Sequence, residues 1–128
     1  MPIQSEINDD EGMVYTRCYG SMLLADFHHY IAHVWSDRRC YGYNELFNTT
    51  EGDWSEFDFG SLLDVASRAA ELNTIDPNSK LAWIVDDGKS QALTGFYKAA
   101  KASLPVESRS LEAFKSRREA MAWLGKKG

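Results

Sequence analysis

Long apolar runs are missing from this chain. None approaches the roughly 20 apolar residues that cross a bilayer, so no membrane span is expected. Cysteine is scarce: Cys18 and Cys40 are the two in 128 residues, too few for a disulfide scaffold. The opening MPIQSEINDDEG is polar and acidic and lacks the features of a secretory leader. Cytoplasmic residence with both thiols reduced is therefore expected, and without secretion the triplet Asn48-Thr49-Thr50 has no meaning as a glycosylation acceptor. Basic excess is lacking as well. Fourteen Lys and Arg stand against nineteen Asp and Glu, a net charge of −5. Non-specific nucleic-acid binding needs cations that displace counterions, and docking on anionic lipid needs the same; neither is expected. Internal repeats, low-complexity segments and long linkers are also absent.

What is present is the length and composition of one globular domain. A chain of this size buries roughly two-thirds of its unfolded surface and needs no metal or disulfide to fold. Its 44% hydrophobic and 26% charged residues are ordinary for that class. Pro2–Ile7 reads as a first strand and Asn8–Gly12 as a turn. Met13–Tyr19 alternates, with Val14, Thr16 and Cys18 on one face and Met13, Tyr15, Arg17 and Tyr19 on the other. A short turn between two strands makes an antiparallel hairpin. Ser21 is the expected cap of a helix to Trp35, whose stripe is Leu24, Phe27, Ile31 and Val34. Asp37-Arg38-Arg39 is a polar exit, Tyr43–Asn48 a strand, and Thr49–Asp58 an acidic loop holding Trp54 and Phe57.

A second helix is expected over Phe59–Asn73, with Leu62, Val65, Ala66, Ala69 and Leu72 inward and an Asp64–Arg68 pair outside. Asp76-Pro77-Asn78 ends it. Leu81–Val85 is apolar on both faces, as in a central strand covered above and below. A third helix follows over Ser90–Ala102, with Leu93, Phe96 and Ala100 inward and Gly95 costing about 1 kcal/mol relative to Ala. A last strand lies within Val106–Phe114. Ser116-Arg117-Arg118-Glu119 is a capping box opening a final helix. Its inner face is Ala120, Trp123 and Leu124, and Gly125 stops it. The order β-β-α-β-α-β-α-β-α predicts a single α/β domain over residues 1–128, with a mostly parallel mixed sheet, an antiparallel edge hairpin and covering helices.

The candidate chemistry is thin. Asp87-Gly88-Lys89-Ser90 follows a strand and precedes a helix, but the first glycine of a phosphate loop would fall on Trp83, inside the strand. A turn with Ser90 as helix cap is the preferred reading. Asp26, His29 and His33 share a helix face with zinc-like spacing; an exposed polar face is preferred. Asp86 and Asp87, at the end of the central strand, suit magnesium or a shared proton, and equally suit a helix start. Arg109, Lys115, Arg117, Arg118, Lys126 and Lys127 read as a solvated helix face with a basic tail. No Gly-x-Ser-x-Gly elbow is present. One positional rule applies: open α/β sheets take ligands beyond the carboxyl ends of their strands. That region would gather Asn48, Thr49, Asp58, Ser61, Asp86, Lys89 and Ser90.

Three stretches carry a family resemblance: Tyr43–Asn48 followed by FDFGSLLDVASRAA, then LAWIVDD, then FKSRREAMAWLG. With the element order, they resemble the STAS-like fold of anti-sigma-factor antagonists and the wider group of small bacterial STAS-like and CRAL-TRIO-like proteins. In those antagonists the second helix opens on an Asp-Ser-Ser-Gly-Leu type motif with a phosphorylated serine. The matching run here is Asp58-Phe59-Gly60-Ser61-Leu62; the phosphorylated position falls on Gly60, with Ser61 beside it. The resemblance implies a non-enzymatic binding or regulatory module with a protein partner, Ser61 as the candidate phosphorylation site, and no cofactor. Its CRAL-TRIO-like side implies an alternative, a small apolar or lipid ligand lined by Trp54, Phe57, Phe59, Trp83, Phe96 and Tyr97. An enzyme using Asp86, Asp87 or Ser61 is the least favoured reading. Oligomeric state is left open.

Overall fold

Alternating strands of period two and helices of period 3.6 assemble into the layered sheet that the sequence implies. A computed structural model describes residues 2–36, 38–72, 74–86, 88–105 and 108–125, and the backbone but not the side chain of Lys89. Strands β1 (Ile3–Asn8), β2 (Met13–Ser21), β3 (Asn44–Asp53), β4 (Lys80–Ile84) and β5 (Ser110–Phe114) form one sheet in the order of the chain. β1 pairs antiparallel with β2, and the other neighbours are parallel. Helices α1 (Leu24–Tyr30), α2 (Phe59–Glu71), α3 (Lys89–Ala102) and α4 (Arg117–Trp123) alternate with the strands. The mixed α/β fold is as expected.

Because each parallel strand joins its immediate neighbour, successive crossovers of one hand place their helices on one face of the sheet. The two cores follow from this. Phe27 and Tyr30 of α1, Leu62 and Val65 of α2, and Leu93 and Tyr97 of α3 bury against Val14, Cys18, Phe47, Leu81 and Trp83. Ala120, Met121 and Leu124 of α4 and its exit bury against Met13, Leu46, Ala82 and Ile84 on the opposite face. Residues 81–85 feed both cores alternately, as a central strand should. α4 is anchored through Lys80, whose Nζ donates to the Trp123 carbonyl at 3.0 Å and lies 5.2 Å from that ring's centroid.

Several boundaries differ from expectation, each for a local reason. β2 continues to Ser21, pairing Gly20 with Gly52 and Ser21 with Asp53 after a register shift between Arg17 and Tyr19. Ser21 therefore ends a strand and caps nothing. The α1 cap is Leu23, whose N–H donates to Asp26 Oδ2 at 2.9 Å. The same extension draws residues 49–53 of the expected loop into β3. The first helix does not run regularly to Trp35: Ile31–Trp35 is a π-helix, and Arg38–Cys40 a 3-10 turn. In α3, Phe96 is 52% exposed and Tyr97 takes the inward place with Leu93 and Ala100. Positions 93, 97 and 100 are the better stripe, four and then three apart. In α4, Met121 joins Ala120 and Leu124 in the core, with Trp123 only partly buried. Ser116 Oγ accepts from the Glu119 N–H at 3.1 Å, while Glu119 Oε1 meets that hydroxyl rather than the cap amide. Val106 and Glu107 of the expected last strand lie outside the described residues, as do Asp37 and Asn73.

At Gly52 the chain passes directly under Trp54. A Cβ there would sit 2.9 Å from Trp54 Nε1 and 3.2 Å from Met22 Cγ, and that indole N–H donates to the Thr49 carbonyl at 3.0 Å. Gly52→Ala is expected to lower stability by about 1–3 kcal/mol, as overpacking does. Urea unfolding followed by Trp fluorescence measures it, and an unchanged midpoint contradicts the close approach.

Candidate functional site

Of the residues singled out from sequence, Asp58, Ser61, Asp86, Lys89 and Ser90 follow the carboxyl ends of parallel strands, Asn48 and Thr49 lie inside β3, and local turns engage most of them. Asp58 caps α2: its Oδ1 accepts from the Ser61 N–H at 2.8 Å. That amide, together with the Ser61 hydroxyl, holds the Asp58 carboxyl below its ordinary value. Asp86 Oδ1 accepts from the Gly88 N–H and the Ser90 hydroxyl, both at 2.9 Å, and the Ser90 oxygen accepts from the Asp86 N–H at 3.1 Å. Thr49 is buried and donates to the Ile84 carbonyl at 2.7 Å, tying β3 to β4. Asn48 Oδ1 accepts from the Thr50 N–H at 3.0 Å and the Thr50 hydroxyl at 2.7 Å. Lys89 opens α3; its side chain and Asp87 lie outside the described residues, so the Asp86–Asp87 pair has no described geometry. The structure thus brings Asp58 to Ser61 and Asp86 to Ser90, as two separate helix starts.

The histidines divide. His28 Nε2 is 2.8 Å from Asp64 Oδ1, which also accepts from Arg68 Nε at 3.0 Å. His28 first and Arg68 next hold the Asp64 carboxyl below its ordinary value. His29 and His33 stack edge to face at 4.2 Å between centroids. Asp26 is engaged in the α1 cap, and no group of three metal-ligating side chains occurs among the described residues.

The sequence reading missed the principal polar centre. Glu45, on the helix-facing side of β3, is completely buried. Its Oε2 accepts from Thr16 Oγ1 of β2 at 2.7 Å and from the Tyr30 hydroxyl of α1. Its Oε1 accepts from Arg109 Nη1 at 3.1 Å. Trp35 Nε1 donates to the Tyr30 oxygen at 2.9 Å, and the Arg109 guanidinium lies 4.7 Å from the Trp35 ring centroid. Burial, then the Glu45 charge, push the Tyr30 hydroxyl far above its ordinary value. Arg109 therefore belongs to the core and not to a solvated basic face. A signal for Glu45 existed: an acid two residues before Phe47 on the inward side of a strand must find partners. Nothing marked Arg109, 64 residues away.

Two small cavities flank this centre. One of about 30 Å³ is lined by Tyr30, Trp35, Glu45, Trp83, Tyr97 and Arg109 with apolar neighbours. The other, about 40 Å³, opens between α2 and α3. Each has room for one or two waters. Of the six rings proposed to line an apolar pocket, Trp83 and Tyr97 line the cavity of about 30 Å³. Trp54 and Phe57 pack on Phe27, and Phe59 and Phe96 are exposed. A wider groove of about 570 Å³ crosses the sheet face that α4 leaves uncovered, past Glu6, Tyr15, Arg17, Asn48, Glu51 and Arg117. Against known proteins the chain matches no family model, no curated protein and no solved structure.

Removing one partner of a buried ion pair strands the other charge. Arg109→Met is expected to lower stability by about 3–5 kcal/mol, and adding Glu45→Leu should recover much of it. Urea midpoints of the single and double variants test the coupling; additive losses contradict it. Acid behaviour is a second test. Asp58 and Asp64 both have folded values below the unfolded value of about 3.9. Each stabilises the fold above that pH and loses its contribution as pH falls through the folded value. Asp58→Asn should flatten the fall in melting temperature below about pH 4; an unaltered slope contradicts the cap.

Proposed function

We propose that this chain is a non-enzymatic binding or regulatory module of the STAS-like kind, which contacts a protein partner at the carboxyl-end rim of its parallel strands. The observation that carries this reading is the exposure of two large apolar side chains on that rim. Leu23 at the start of α1 is 49% exposed and Phe59 at the start of α2 is 45% exposed. Phe59 adjoins the Asp58–Ser61 cap. A rim that offers apolar area beside polar groups suits a protein surface.

The cavities beside Glu45 favour a protein partner over an apolar ligand, since 30–40 Å³ falls well short of the roughly 300 Å³ of a small-molecule pocket. The rim hydroxyls and carboxylates are held in helix starts, an arrangement that serves shape more readily than reaction. Ser61 is partly exposed and is the hydroxyl a kinase would meet. Phosphate there would add charge directly beside Asp58 and disturb the cap. A reducing cytoplasm suits the two buried free thiols.

A photo-crosslinking residue replacing Phe59, used in extract of the native host, should capture one discrete polypeptide. The same residue replacing Phe96 should not, and Leu23→Asp should cut the Phe59 yield about tenfold, the loss of one anchoring contact of about 1.4 kcal/mol. Equal capture at both positions would overturn the reading. So would a bound lipid or other large apolar mass that appears in native mass spectra and is lost on denaturation.

A further inference from the structure

Between α2 and α3 the structure sets two cations against one carboxylate. The cleft of about 40 Å³ there has a floor of Ala66, Ala69, Leu81 and Leu104, and a polar side of Tyr97, Lys101, Ser108 and Arg109. Arg109 is already matched by Glu45 on its inner side. Lys101 is not matched: its Nζ donates to the Arg109 carbonyl and lies 5.9 Å from the Tyr97 ring centroid. Among the described residues it forms no ion pair. A carbonyl satisfies one of the three ammonium donors and none of the charge. Beyond Arg109 and Tyr97, which the two cavities share, lies Trp83. Its Nε1 is a buried donor without a partner.

Among the described residues the cleft thus carries two cations, one of them matched by Glu45, and no carboxylate of its own over an apolar floor. We propose that this cleft binds a small monocarboxylate, with its carboxylate at Lys101 and Arg109 and its short apolar body on Ala69, Leu81 and Leu104. A monoanion cancels the uncompensated charge, whereas a phosphate dianion would leave a negative charge in a half-apolar site. The cleft is small but open to solvent, so only the carboxylate head enters between the polar side and the floor, and the chain lies toward the open mouth. Burial, then Arg109 and Lys98, draw the Lys101 ammonium down to about 8, the state of a cation in want of a counter-ion. A bound carboxylate restores the charged form and raises that value. The site lies away from the strand-end rim, so it stands or falls independently of the partner-binding reading.

The test uses the full chain and observes Lys101 Cε and the Tyr97 ring by NMR while acetate or butyrate is added at constant ionic strength. The expected result is a saturable shift of both signals and a rise in the Lys101 titration midpoint. Butyrate should bind more tightly than acetate by about fourfold per buried methylene. Lys101→Met should weaken butyrate binding tenfold or more, as loss of a charged hydrogen bond does. Arg117→Met should leave it unchanged, because Arg117 lies over Tyr15 on the opposite face of the sheet. Should Lys101→Met fail to fold, Lys101→Arg replaces it and should retain binding. Equal shifts with chloride or inorganic phosphate, or butyrate binding unaltered in Lys101→Met, would overturn the proposal.

Discussion

A carboxylate without solvent sets the terms for much of this molecule. Burying an ionised group costs several kcal/mol unless its charge and lone pairs are met, and Glu45 is met from three directions: Thr16 of β2, Tyr30 of α1 and Arg109 ahead of β5. None of these donors is near Glu45 in sequence, so the carboxylate reads the docking of the first helix and of the last parallel strand at once. This accounts for a departure from regular helix. Residues five apart on an α-helix point to different sides, yet the Trp35 indole must reach the Tyr30 hydroxyl at 2.9 Å while its ring faces Arg109. The π-helix at Ile31–Trp35 widens the turn and brings 30 and 35 together. Such turns recur where a side chain must be placed against the helical period.

The second constraint is the strand order. With neighbours joined in sequence, three crossover helices fall on one face and only α4 is left for the other. The helix-covered face becomes a sealed aromatic core in which Trp83 stacks between Phe47 and Tyr97. The α4 face stays half open, with Arg17 and Arg117 resting over Tyr19 and Tyr15. The cavities that survive beside Glu45 are small, and their linings are mostly apolar, with Arg109 the charged group common to both.

Legibility in the sequence followed the range of the interactions. Period and local capping revealed all five strands and four helices, and the cap at Ser116 and the Asp64–Arg68 pair were visible as short spacings. The errors lie where a distant partner decides. Ser21 looks like a cap, but pairing with Asp53 makes it the end of a strand. Phe96 looks inward by hydrophobicity, but Tyr97 fits the stripe and covers Trp83. Arg109 sits in a basic, polar stretch, and only folding shows the acid that claims it. Sequence could not show that β3 runs on past Asn48 and Thr49, nor that Asp58 and Asp86 hold their own helix starts.

The Asp58 cap bears on what the rim can do. Asp58 and Ser61 are three residues apart, and the carboxylate takes the Ser61 amide as its cap. A phosphate on the Ser61 hydroxyl would compete for the same exposed amides of the α2 start and repel the carboxylate that now holds one of them. Both arrangements satisfy a helix N-terminus, so the choice between them is a difference of small terms and not the loss of the helix. Phe59, between the two residues and exposed, would move with whichever cap prevails. An exposed side chain carried on a helix start can change its setting without rearrangement of the sheet, and the Glu45 network, built on β2, α1 and Arg109, takes no part in that cap.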